Sequence, residues 1–89
     1  MDKKMAVFTT KQVVGKFEPI SIVIHDADGE WQFLSGRNVT MEDMMIITLE
    51  QILAVDSSIE EILNIDQGKR AHRFNDDVWE VEDYVSRED

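Results

Sequence analysis

The twelve residues from His25 to Gly36, reading HDADGEWQFLSG, restrict the fold of this chain more than any other segment. Asp28-Gly29 suits a tight type I′ turn, because Gly takes positive φ without a steric cost and Asp tolerates it. Before the turn, from Pro19 onward, Ile20, Ile22 and Ile24 alternate with Ser21, Val23 and His25. After it, Trp31 and Phe33 stand at strand spacing. A two-residue loop pairs Ile24 with Phe33, and a four-residue loop from Asp26 to Gly29 pairs Ile24 with Trp31. Either register gathers Ile22, Ile24, Trp31 and Phe33 on one face. Burying such side chains contributes on the order of 1.5–3 kcal/mol each before entropy costs, so the hairpin is the expected centre of the core.

The rest of the chain reads as strands, a helical middle and strands again. Met5 to Thr9 is a short β-prone run, followed by a turn from Thr10 to Val14. Gly36 to Thr40 is a loop. Met44 to Ile47 is a continuous apolar run that stops at Thr48, and Gln51 three positions later completes a capping box. Leu49, Ile52 and Leu53 then form the apolar stripe of a short helix to about Val55. Asp56-Ser57-Ser58 restarts the pattern, with Ser57 and Glu60 or Ser58 and Glu61 as capping boxes and Ile59, Ile62 and Leu63 as the second stripe. After Gly68, Arg70 to Phe74 and Val78 to Val81 form a second hairpin across Asn75-Asp76-Asp77. The 89 residues are expected to make one domain, frayed at 1–4 and 84–89. Its fold class is α+β, a mixed, mostly antiparallel sheet of about five or six strands packed on two short helices.

Charge separates along this framework. The net charge is −10, yet residues 1–20 carry four lysines against two acids, while residues 41–68 carry seven acids and no Lys or Arg. A field of that sign repels nucleic acid and anionic lipid and attracts basic surfaces, so neither is expected as a partner and a basic protein is. Glu42, Asp43, Glu50, Glu60 and Glu61 form the candidate acidic partner-binding surface, with Trp79 as a candidate anchor if its strand face is exposed. Cysteine is absent and no stretch approaches a membrane span, which fits a soluble cytoplasmic protein. A monomer is expected, or a weak homodimer that pairs an edge strand.

No nucleophile paired with a base, complete metal constellation or phosphate loop occurs, so neither catalysis nor a cofactor is expected. Asp26, Asp28 and Glu30 open like a calcium loop, but Trp31 stands where such a loop needs Gly, and Arg37 where it needs a bidentate Glu. His25 and His72 could share a zinc ion only if their separate hairpins brought them together. A metal or small-ligand domain using His25, Asp26 and Asp28 is the alternative to the protein-binding reading.

HDADGEWQFLSG, followed by Ile46-Ile47-Thr48-Leu49-Glu50-Gln51-Ile52 and by Val55-Asp56-Ser57-Ser58, resembles a family of small bacterial domains grouped with the immunity proteins of polymorphic toxin systems. The similarity runs from about Thr9 to Trp79. It departs from the family pattern at Ser57, where a Pro is expected, and in the short connection from Gly36 to Asp43. The resemblance implies a stoichiometric binder that covers or locks a toxin and has no catalytic residues of its own. An acidic inhibitor would suit a nuclease toxin, which must present positive charge to hold phosphates.

Overall fold

The computed structural model describes residues 2–36, 40–75 and 78–84. They build an α+β fold whose six strands are β1 (Ala6–Thr10), β2 (Ile22–His25), β3 (Trp31–Leu34), β4 (Met44–Thr48), β5 (Lys69–Asn75) and β6 (Val78–Asp83). The strand order is β4-β1-β3-β2-β5-β6, with β1 and β3 parallel and the other neighbours antiparallel. Helix α1 (Lys11–Val14) is a single turn begun by Thr10, whose Oγ1 accepts the Val13 N–H at 3.3 Å, where the sequence reading has a turn. Among the described residues no helix is long and apolar enough to cross a membrane.

Helix α2 (Leu49–Val55) begins where its capping pair places it. Gln51 N–H donates to Thr48 Oγ1 at 3.2 Å, and Thr48 N–H donates to Gln51 Oε1 at 2.9 Å. The next N–H groups of the helix, otherwise orphaned, find the N-terminal turn: Leu49 donates to Met5 O at 3.0 Å and Glu50 to Lys3 O at 2.8 Å. A 3-10 helix (Ser57–Ile62) follows. Its cap is Asp56, whose Oδ1 accepts the Ser58 N–H at 3.0 Å, rather than either expected serine.

The ends are more tied than their composition foretells. Lys3 is held by its bond from Glu50, and Tyr84 N–H donates to Gly68 O at 2.8 Å, so these parts of the segments expected to fray are anchored. Met1 and residues 85–89 lie outside the described residues, as do most of the Gly36 to Thr40 loop and two of the three residues expected to turn the second hairpin.

The first hairpin forms in a different register from either one expected. Asp26 N–H donates to Glu30 O at 3.0 Å and Gly29 N–H to Asp26 O at 3.0 Å, which leaves a three-residue loop, Ala27-Asp28-Gly29. Asp26 Oδ1 also accepts the N–H groups of Asp28 at 2.9 Å and Glu30 at 3.2 Å, so Gly29 alone needs a positive φ, of 92°. A type I′ turn would have put Asp28 there as well. The odd loop length exchanges the faces of β2: Val23 pairs with Phe33 and His25 with Trp31, while Ile22 pairs with Leu34 and Ile24 with Gln32. Trp31 and Phe33 are core residues, as expected, but their neighbours are Val23 and His25.

One face of the sheet is therefore the core face. Val7, Val23, Trp31, Phe33 and Ala71 are buried there against Val13, Leu49, Ile52, Ile59 and Ile62 from the helices. The other face carries a row across all six strands, Ile46, Phe8, Gln32, Ile24, Arg70 and Glu82, each paired with the next. Ile24 is buried within that row, although it lies outside the main core cluster.

Candidate partner-binding surface

The acidic residues singled out in the sequence divide around β4. Glu42 and Asp43 lie in a 3-10 turn (Met41–Asp43) that leads into the strand, and Glu50 lies in the first turn of α2, which leaves it. About 16 Å of extended chain separates the two ends. Glu60 and Glu61 sit on the 3-10 helix packed against α2. Glu42, Glu50, Glu60 and Glu61 are exposed, and Asp43 is half-buried.

Asp43 belongs to the turn rather than to an open surface. Its Oδ2 accepts the Thr40 N–H at 3.4 Å, and its Oδ1 lies 3.6 Å from Lys11 Nζ. Loss of hydration pulls its pKa upward, but the Thr40 N–H, the Gln12 side chain and the Lys11 ammonium together outweigh that and hold the carboxyl below its ordinary value. The sequence could have shown this, because Thr40 and Asp43 have capping-box spacing.

Among the described residues, the ion pairs are Lys11–Asp43, Lys69–Asp83, Arg70–Glu82 and Arg73–Asp56. None includes Glu42, Glu50, Glu60 or Glu61. Both described arginines are thus committed to internal partners, while the four exposed glutamates have no ion-pair partner among the described residues. Beside them, Leu49, Leu53 and Leu63 floor a shallow groove of about 330 Å³ rimmed by Lys3, Glu60 and Asn64.

Trp79 does not offer an open face. It is half-buried against the core, and the Arg73 guanidinium lies 4.4 Å from its ring centroid. The same guanidinium donates from Nη2 to Asp56 Oδ2 at 3.0 Å and to Ser58 Oγ at 3.2 Å. Asp56 also accepts the Ser58 hydroxyl. Burial raises the pKa of Asp56, yet the Ser58 hydroxyl and N–H and the Arg73 charge prevail, so its carboxyl lies below the ordinary 3.8. Arg73 therefore fastens the 3-10 helix to β5 and Trp79, a role that nothing in the local sequence announces.

The two histidines stand on opposite faces of the sheet. His72 pairs with Ile22 on the open face, whereas His25 stacks on Trp31 on the core face, with ring centroids 3.9 Å apart. His25 Nδ1 lies 2.9 Å from Ile65 O; a carbonyl can only accept, so Nδ1 carries the proton. This geometry rules out a shared zinc ion. Asp26 spends its Oδ1 within the hairpin loop, and among the described residues no three His, Cys, Asp or Glu side chains converge to hold a metal ion.

Sequence reasoning missed the position of β4. The continuous apolar run Met44 to Ile47 forms a strand, as expected, but its place is the edge of the sheet, and Ile46 is 64% exposed. No sequence signal marks this, because edge status depends on which strand pairs with β1. Comparison of the chain with family models, with curated proteins and with solved structures finds no match.

Proposed function

We propose that this chain is a non-catalytic protein-binding module that engages a basic protein, in the manner of the toxin-neutralising immunity proteins its hairpin and Ile-Ile-Thr-Leu-Glu-Gln-Ile segment resemble. The observation that carries this reading is the set of exposed glutamates, Glu42, Glu50, Glu60 and Glu61, left without ion-pair partners among the described residues. Uncompensated like charge opposes compactness, but it also steers a basic partner and speeds encounter. A toxin that holds phosphates would supply such a surface, and an acidic module would compete with nucleic acid for the same groups.

Affinity capture from the native host tests this. The wild-type chain and a Glu50→Lys/Glu60→Lys/Glu61→Lys variant serve as baits at low and at high salt, and the captured protein is then purified and titrated against each. A basic partner that binds one-to-one, weakens in salt and is lost with the variant is the expected result. Undiminished binding by the variant at high salt overturns the acidic-surface reading.

A further inference from the structure

We propose that the free edge of β4 is a strand-docking site, and that its occupant is an extended segment with an apolar centre and basic residues beyond both ends. This names the part of the partner that docks, and so rests on the basic-partner reading.

The backbone identifies which groups are open. Leu49 N–H bonds Met5 O, and Thr48 N–H turns away to Gln51. Antiparallel ladders alternate, so the residues of β4 bonded to β1 are Met45 and Ile47, while the N–H and C=O groups of Met44, Ile46 and Thr48 point outward. Met44 N–H is taken by Met41 O, and Thr48 caps α2. Ile46 N–H, Ile46 C=O and Met44 C=O are what remain, one donor and two acceptors, with no partner among the described residues. A strand laid here forms its hydrogen-bonded pair opposite Ile46. Its matching side chain extends the row Ile46, Phe8, Gln32 and Ile24, so that position calls for an apolar residue.

Charge decides between a second copy and a different chain. An antiparallel self-pairing centred on Ile46 brings Glu42 of one copy toward Glu50 of the other at both ends, between two chains of net charge −10. Pairing β4 with β6 of another copy fares no better, because β6 adds Glu80 to Glu82 and Asp83, and the cations that pair the last two, Arg70 and Lys69, lie inward on β5. The β6 edge is guarded by charge, and its pairing with β5 is interrupted by a register irregularity on the β5 side, between Arg73 and Asn75. Strand β4 is five uncharged residues with regular pairing, bracketed by carboxylates. Only a strand with cations at its ends satisfies both the apolar centre and the acidic flanks.

The test uses the whole chain, labelled for amide NMR, and the acetylated, amidated peptide Lys-Lys-Thr-Val-Ile-Val-Thr-Lys-Lys. Controls replace every Lys by Glu, or N-methylate the central Ile. The expected result is that the Lys peptide slows exchange of the Ile46 amide on the order of tenfold, the effect declining in salt, while the two controls leave it unchanged. In a Glu42→Lys/Glu50→Lys variant the preference passes to the Glu-flanked peptide. No binding of the Lys peptide, equal binding of all three, or a chain that dimerises through β4 overturns the edge proposal. Shifts confined to Glu60 and Glu61 also overturn it while leaving the basic-partner reading in place.

Discussion

Replacing Arg73 by Met keeps an unbranched apolar stem over Trp79 and removes the guanidinium. The side chains of Arg73 and Asp56 are 14% and 24% exposed, which places the pair between surface bridges worth at most about 1 kcal/mol and buried ones whose disruption costs about 3–5 kcal/mol. A hydrogen bond to a charged group contributes about 1.5–3 kcal/mol and the stacking on Trp79 about 0.5–1 kcal/mol. Against them stands Arg73 Nε, a buried donor with no partner, whose removal returns about 1–2 kcal/mol. The net expectation for Arg73→Met is a loss of about 2 kcal/mol. Urea denaturation of the wild type, Arg73→Met, Asp56→Asn and the double variant isolates the pair, with a coupling of about 1–2 kcal/mol at neutral pH. The pKa of Asp56 is depressed on folding, so its contribution is fully present above the unfolded value near 3.8 and is lost as pH falls through the lower folded value. Coupling should hold steady from pH 7 to about 5 and shrink below 3.8. A coupling indistinguishable from zero at pH 7, or one that survives protonation of Asp56, would refute the reasoning.

The hairpin register makes a sharper contrast. Val23 is fully buried between β3 and β5 while Ile22 is half-buried on the open face, so Val23→Ala should cost about 2 kcal/mol and Ile22→Ala less, although isoleucine loses more atoms. Equilibrium unfolding of the two variants reads this, and the reverse order would mean that Ile22, not Val23, faces the core. Gly29→Ala should lower stability by about 1–2 kcal/mol, because φ is 92° and the new Cβ would come within 3.1 Å of Gln67 Nε2. A neutral result in thermal denaturation would mean that the loop adopts another turn.

The parts of the fold legible in the sequence are those with local causes. The Thr48–Gln51 box, the Leu49, Ile52 and Leu53 stripe and the break at Asp56 each depend on neighbours within four positions, and α2 lies where they put it. The α+β class, expected with about five or six strands and found with six, followed from strands and helices of these lengths. The hairpin faces did not, because the preference of Asp-Gly for a type I′ turn competes with Asp26 bonding two N–H groups of its own loop. That difference of one residue inverts the whole strand. At the site, exposure of Glu42, Glu50, Glu60 and Glu61 was readable from composition. The engagement of Asp43 by Lys11 and Gln12, the half-burial of Trp79 against Arg73 and the edge position of β4 all depend on contacts between segments distant in sequence or on strand order.

These separate features share one cause in the economy of a small core. With 89 residues the chain covers a single face of its sheet, using three short helical segments, and the second face is left to shield itself through neighbours such as Ile22, Ile24 and Phe8. Strands β1 to β4 carry no Asp, Glu, Lys or Arg, and outside β6 the described carboxylates lie on the helical side and in the turns. The two surfaces meet at β4, whose side chains belong to the sheet and whose ends belong to the acidic turns. An edge of that composition is a hazard for self-association, and glutamates at both ends oppose it by repelling another copy. On the proposed reading the same two carboxylates would attract a cationic strand, so the arrangement that opposes pairing of two copies would also select the partner.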